Sequence, residues 1–483
     1  TTSSLNSSHY QPNEHLSKHQ IDPMFTRVEP MDIGIEFQHQ AFEYNEFQRD
    51  PLLYHMRSSE GPAMCKGDIN GDGLEDFYIG GARGQEGHLY IQRMDQRFER
   101  VRSQGIVRER TSEEVDCALF DANGDGLDDL YIASGGNSLV SSSTALSDRM
   151  ILTEKDDNGV LVFRDTGQFY PVGSTFESTS VVAPYDFTGD GVMDLFVGTR
   201  LKPFRVGVSV NGYLLEGDGQ GGFRDVTSTW APGLQELGMI THATWADLTD
   251  DGQEELIIVG EYMPVSVFGR EESSTDQQPT YRNLTAELGL EGTQGWWNRI
   301  MAIDTDGDNH LELIGLNHGL NTMFRASSES PVSLWVGDIT QNGLIEHILA
   351  TQIDGKDIPV ALKHHMEEQI PLIGQRFPTY AEYAGKSVQE LFTRDELART
   401  NRLQAFMMES MIVDWDADSN SDRLTSSPRI EKLPRWAQVS PMYAGHVHNH
   451  EGQRFLLLGG NLYNVKPQVG AYDASFGVVI DLE

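Results

Sequence analysis

Two cysteines, Cys65 and Cys117, are all that 483 residues contain, so no disulfide framework organises this chain. They pair with each other or stand as two buried free thiols, and the burial habit of cysteine favours the thiols. Long apolar runs are missing too. No stretch approaches the roughly eighteen residues that a membrane-spanning helix needs. Basic residues are scarce, 36 against 73 acidic ones, for a formal charge of −37. Such a surface repels nucleic acid and anionic headgroups, which excludes both as ligands, and it suits cations. The first residue is Thr1, with neither a basic segment nor an apolar one after it. The expectation is a processed or trimmed chain. Apolar content is not lacking: 38% of residues, with 9% aromatic, support a real core. The length suits two or three ordinary domains or one large repeat-built one.

The acidic residues are not scattered. "DINGDGLED" at Asp68 returns as "DANGDGLDD" at Asp121, "DFTGDGVMD" at Asp186, "DLTDDGQEE" at Asp247 and "DTDGDNHLE" at Asp304. Each copy reads D-x-[NTD]-x-D-[GN]-x-x-[DE] and runs into a β-rich apolar stretch. Hard cations such as Ca²⁺ take six to eight oxygens at about 2.3–2.6 Å, from carboxylates, carbonyls and water. A tight loop can aim positions one, three and five inward, add the main-chain carbonyl of position seven, and close with a carboxylate at nine. Position six makes the sharp bend, hence glycine, with Asn309 tolerated in the fifth copy.

The predicted ligand sets follow from that register. They are Asp68, Asn70, Asp72, Leu74 and Asp76; Asp121, Asn123, Asp125, Leu127 and Asp129; and Asp186, Thr188, Asp190, Val192 and Asp194. The fourth is Asp247, Thr249, Asp251, Gln253 and Glu255, and the fifth Asp304, Asp306, Asp308, His310 and Glu312. The last ligand arrives too early, and a strand follows, so these are not EF-hands. A single acidic loop reads as a solvated turn; five in one register do not. A sixth copy, with Asp338, Thr340, Asn342 and Glu346, carries fewer charges and is a candidate sixth site. In a seventh, "VHNHEGQRF", Val447 stands at position one and Phe455 at nine, and no ion is expected there. Even five divalent ions would leave the chain strongly acidic, a remainder that reads as solubility.

Between the loops lie short strand-like runs with turn signals, as in "GYLLEGDGQGGFRDVTSTW". A period near sixty residues with about four strands per repeat predicts propeller blades. Seven copies predict an all-β, seven-bladed β-propeller over residues 29–483, closed by "DIGIEFQHQ" and "FGVVIDLE". Residues 1–28 read as a flexible leader or tether, the first 25 being rich in Ser, His, Asn and Gln. Residues 355–402 break the period. Capping-box signatures at Ser387 to Glu390 and Thr393 to Glu396 predict a short helical insertion projecting from blade six, a first candidate for partner binding.

The loops resemble the integrin-type FG-GAP and VCBS repeats, over nearly the whole chain after about residue 29. "LLYHMRSSEGPAMCKGDINGDGLEDFYIGGARGQEGHLY", "LGMITHATWADL", "GWWNRIMAID" and "GGNLYNVKPQVGAYDASFG" look like the VCBS/FG-GAP repeat proteins of Bacteroidetes, related to the ASPIC/UnbV group. The resemblance implies a calcium-binding seven-bladed propeller outside the cytoplasm, often lipid-anchored at the outer membrane. "HNHEG" departs from the acidic consensus of that family.

Other signals are weaker. "GDGQGG" at Gly217–Gly222 matches a dinucleotide fingerprint in form, but a strand-like stretch follows it, so it reads as a hairpin turn. "DWDADSNSD" at Asp414–Asp422 has Leu424 at position nine and reads as a solvated hairpin tip. His446, His448 and His450 alternate, but in the decayed loop they make a poor transition-metal site. Trp296 and Trp297 read as packing between blades before they read as a sugar platform. No G-x-S-x-G, H-E-x-x-H or P-loop occurs. The expectation is a non-enzymatic, calcium-stabilised cell-surface module, a binding or scaffold subunit of an outer-membrane protein assembly. An adhesin or glycan-binding role is the alternative, and a polysaccharide-active propeller enzyme with a motif-free channel site the third.

Overall fold

The computed structural model describes residues 25–482, except 59, 104, 107–110, 172–174, 272–278 and 416–426. Most of the expected leader, and the "DWDADSNSD" tip beyond Trp415, lie outside the described residues. The fold is all-β, with short helices, in seven antiparallel sheets. Five have the meander of four strands in series that the period predicts, the fourth with a short extra strand.

Each acidic loop joins the first strand of a sheet to the second. In the second sheet the first strand is Glu113–Phe120 and the second, Asp129–Gly135, is buried along its whole length. That explains why the runs after each loop are continuously apolar rather than alternating: the strand has a neighbouring sheet on both faces. First strands pack side by side, Met64–Gly67 on Glu113–Phe120, then Ser178–Pro184, Met239–Ala246 and Arg299–Ile303. Hydrophobic clusters fill the spaces between sheets one and two, two and three, three and four, and four and five.

The sixth repeat breaks the series. The second and third strands of the fifth sheet, Glu312–Leu316 and Met411–Asp414, pair directly, and everything between them is inserted. Within that insertion the sixth sheet runs Lys356–Pro359, Glu346–Ile353, Val332–Gly337, Thr400–Ala405, so its last strand lies against its first. The helices at Lys363–Gln369, Leu372–Arg376, Tyr380–Tyr383, Val388–Leu391 and Arg394–Leu397 carry the chain from one edge to the other. Both expected capping boxes form, and a third forms at Thr379 and Glu382.

These helices do not project. Met366, Ile370, Ile373, Val388, Leu391 and Phe392 are buried against Ile339, Ile348 and Ala350 of the sixth repeat. Leu334, Val336 and Leu349 of the same sheet pack with Leu53, Val206, Met239 and Trp296, residues near the ends of other sheets. The sixth sheet thus caps strand ends of other sheets instead of extending the series. It is the seventh sheet that packs next to the fifth, around Ile314, Leu316, Leu456 and Leu458.

The expected closing strands behave differently. Val478–Asp481 of "FGVVIDLE" pairs with Gln453–Gly459 as the third strand of the seventh sheet. "DIGIEFQHQ" forms no strand; it begins in the 3₁₀ turn Pro30–Ile33, and the Glu36 amide N–H donates to the Tyr90 hydroxyl. The two ends of the series are tied instead by Tyr54–Met56 and Asn464–Lys466. The Met56 amide donates to the Asn464 carbonyl at 2.8 Å, and the Lys466 amide to the Tyr54 carbonyl at 3.1 Å.

Cys65 and Cys117 are bonded to each other, their Cα atoms 5.6 Å apart, against the expectation of free thiols. They occupy nearly equivalent places in adjacent first strands, just ahead of loops one and two.

Candidate cation-binding loops

Six loops share one conformation, and the side chains at positions one, five and nine build it. In loop one, Asp68 accepts from the amides of Gly71, Asp72 and Gly73 at 2.7–3.0 Å, and Asp72 from Leu74 at 2.9 Å. Loop two repeats this with Asp121 and Asp125, loop three with Asp186 and Asp190. Asp247 and Asp251, Asp304 and Asp308, and Asp338 and Asn342 make the corresponding bonds with fewer partners. At position six φ is positive throughout, from 69° at Asn309 to 87° at Gly191. Position four is left-handed as well, at Gly71, Gly124, Gly189 and Gly307 and, less comfortably, at Asp250 and Gln341. The sequence pattern had assigned that task to position six alone.

Position nine does more than close a loop. Asp76, Asp129, Asp194, Glu255, Glu312 and Glu346 are buried at the foot of each loop. Asp76 accepts from the amides of Ile69 and Gln92, Asp129 from Ala122 and Thr153, and Asp194 from Thr188 and Gly217. These three carboxylates thus bolt their loops to the third strand of the same sheet, while Glu255, Glu312 and Glu346 accept from Leu248 and Thr249, Thr305, and Ile339 and Thr340 of their own loops. Burial, only partly offset by these N–H groups, pushes Asp76 and Asp194 up to about 6, and Asp129 and Glu255 up to about 7. Glu312 and Glu346 are raised for the same reason. A carboxylate held this far from water gains strongly from a nearby positive charge.

The donor chemistry fits a hard divalent cation: carboxylates, amide and hydroxyl oxygens and main-chain carbonyls, with no nitrogen or sulfur required. At position seven, the Gln253 amide donates to the Gly252 carbonyl and the His310 ring lies 2.8 Å from Asp250, leaving main-chain carbonyls as the donors there. In loop five, oxygens of Asp304, Asp306 and Glu312 come within 4.8 Å of one another. The seventh copy forms no such loop. Ala444–His450 and Gln453–Gly459 pair down to a two-residue turn, Glu451 and Gly452, both with positive φ. His448 and His450 lie with ring centroids 6.2 Å apart, and no cluster of metal-binding side chains forms there among the described residues.

Neighbouring loops are linked by residues the pattern did not single out. Asp128, at position eight of loop two, accepts from the Asp68 amide at 2.7 Å. Arg454, from the seventh sheet, reaches into loop five: its guanidinium donates to the Asp304 carbonyl and lies 3.6 Å from the Asp304 carboxylate. This internal cation would compete with an ion held in the loop. Replacing Arg454 with Ala is expected to tighten calcium binding in loop five roughly fivefold, since one like charge near the site is removed. Calorimetric calcium titration of the two proteins checks it; equal or weaker binding in the variant would refute the competition.

Trp296 and Trp297 are not a surface platform. Trp297 is fully buried, its indole N–H donating to the Thr293 carbonyl, and Trp296 is 8% exposed among Tyr54, His318 and Phe324. "GDGQGG" is a hairpin turn between Gly212–Gly217 and Phe223–Asp225.

No curated protein matches the chain. Among solved structures it is similar to the crystal structure of the V. cholerae biofilm matrix protein Bap1, at 13% identity, 84% of this chain and 72% of that one, with a TM-score of 0.28. Residues 68–137, which hold loops one and two and the second strands that follow them, match the FG-GAP-like repeat.

Proposed function

We propose that this protein is a calcium-stabilised, non-enzymatic binding and scaffold module that works outside the cytoplasm. In this reading, six of the sheets close into a propeller-type ring, the sixth repeat with its helices caps one end, and an outer-membrane or cell-surface protein docks on the assembly. The observation that carries it is the acidic loop itself: one conformation, six times, between the same two strands of each sheet. Such loops serve stability rather than turnover, because each joins two strands of its own sheet and position nine bolts it down. The Cys65–Cys117 bond supports an oxidising compartment.

Position one, three and five side chains, the carbonyl at seven and the carboxylate at nine would hold Ca²⁺, which would cancel the repulsion within each loop. The cap offers its outer helical surface, where Tyr380 is 58% exposed, as the docking face. Removing the helices outright would strip the sixth sheet, so the partner is best sought with the intact chain. Isolation from detergent-solubilised native envelopes in millimolar calcium, followed by mass spectrometry, is expected to yield a stoichiometric surface partner that a Tyr380→Ala variant retains poorly. Recovery of a solitary protein would overturn the scaffold reading.

A further inference from the structure

Away from the acidic loops, where the sheets converge beneath the cap, lies a cavity lined by chain segments that are far apart in sequence. His55 and Arg57 precede the first sheet, Arg200 is next to last in the second strand of the third, Glu261 belongs to the fourth, and Asn298 precedes the first strand of the fifth. The space holds about three waters, at roughly 10–15 Å³ of centre volume each. Tyr443, in its lining, is 39% exposed.

The polar side of this cavity has a built charge arrangement. Glu261 accepts from both guanidinium groups, from Arg57 and, at 2.5 Å, from Arg200, while Arg200 also pairs with Glu60 at 2.5 Å. Two positive and two negative groups therefore balance in number, and each guanidinium keeps its Nε–H edge free of the carboxylates. What is left over is mostly donors. The Nε–H groups of Arg57 and Arg200, the indole N–H of Trp296 and the side-chain amide of Asn298 are buried donors with no partner among the described residues, and the His55 and His347 rings leave nitrogens unpartnered too, each neutral ring offering at most one acceptor. Arg57 is only 6% exposed. No side-chain oxygen of the lining is left over in the same way. The opposite wall is aromatic, with Tyr54, Trp296 and His318 in mutual ring contact. At Tyr262 the chain takes φ of 59°, a conformation that L-residues rarely adopt, directly after Glu261.

Leftover donors outnumber leftover acceptors beside the apolar wall, which favours a guest rich in lone pairs. Water is a poorer match, since each one brings two O–H donors and only the imidazole nitrogens are left to accept them. A carboxylate has four lone-pair positions, no donor and a small apolar tail, and guanidinium donors bind it through charge-assisted bonds. We propose that this cavity binds the carboxylate group of a small organic acid, its oxygens held by Arg57, Arg200 and Asn298 and its tail against Trp296. The acid is either a free short-chain one or the uronate end of an acidic sugar that enters past the partly exposed Tyr443.

The test is calorimetric titration of the full chain in calcium with acetate, acetamide and glucuronate in parallel, at constant ionic strength. Acetate is expected to bind once, saturably, in the millimolar range for a ligand of about four heavy atoms. Acetamide, isosteric but neutral and itself a donor, should bind roughly tenfold more weakly. Binding of acetate alone marks a free short-chain acid; binding of acetate and glucuronate marks a sugar acid. Arg57→Lys, which keeps a charge for Glu261 but removes the Nε donor, and Asn298→Ala should each weaken acetate at least fivefold. Should Arg57→Lys fail to fold, Asn298→Ala alone decides the location. Absence of saturable acetate binding up to about 50 mM overturns the proposal, as do equal affinities for acetate and acetamide or full affinity in the variants.

Discussion

Chelation of calcium with excess EDTA is expected to lower the melting temperature by about 7 °C. Extracellular calcium modules bind with dissociation constants of about 10⁻⁴–10⁻³ M. At tenfold excess each site adds roughly 1.4 kcal/mol by mass action, and five independent sites about 7 kcal/mol. Unfolding entropy near 2.1 cal/mol/K per residue, about 1 kcal/mol/K for a chain of this length, converts that into the shift. Differential scanning calorimetry in calcium and in EDTA measures it. The loops keep much of their shape without an ion, because Asp68 and its counterparts already accept main-chain N–H groups. What is lost is the cancellation of crowded carboxylates. Asp125→Asn should therefore remove about one fifth of the calcium-dependent shift and raise the EDTA melt slightly, since one repelling carboxylate is gone. An identical melt with and without calcium would refute the structural role of the ion.

The second large effect belongs to the Cys65–Cys117 bond. It closes a loop across a sequence separation of 52 residues and ties the first strand of sheet one to that of sheet two. Chain entropy assigns such a loop about 4 kcal/mol of stabilisation. The Cys65→Ser, Cys117→Ser double variant is expected to unfold at a correspondingly lower denaturant concentration, read from chevron-free equilibrium titration with guanidinium. Before that, thiol titration of the denatured, unreduced protein should find no free thiol. Two titrating thiols in material prepared without reductant would restore the free-thiol reading. The pairing had a signal in the sequence: both cysteines sit just ahead of the acidic loop in consecutive repeats. Burial propensity pointed the other way because it takes no account of which strands become neighbours.

The same limit explains the sixth repeat. Its loop, from Asp338 to Glu346, takes the conformation of its counterparts with Asn342 in place of the aspartate at position five, and its capping boxes form where Ser387 and Thr393 predict them. Local chemistry was therefore legible. Its place was not, because Glu312–Leu316 pairs with Met411–Asp414 across the whole insertion, and no local feature of either strand names that partner. The helical insertion had the right residues and the wrong orientation: Met366, Ile373 and Leu391 look inward, onto the sixth sheet.

Sequence by itself determined what is local and repeated. The acidic loops, the left-handed residue at position six, the apolar second strands and the helix caps all depend on neighbours within about ten residues, where spacing and side-chain chemistry suffice. Tertiary structure alone decided what depends on long-range pairing: the disulfide, the order of the sheets, the cap, the turning of position nine into a bolt, and the buried Arg57–Glu261–Arg200 cavity. The physical reason is that a strand's apolar face states that it must be buried but not against what. With seven near-equivalent repeats competing for the same contacts, only the packed chain selects the partners.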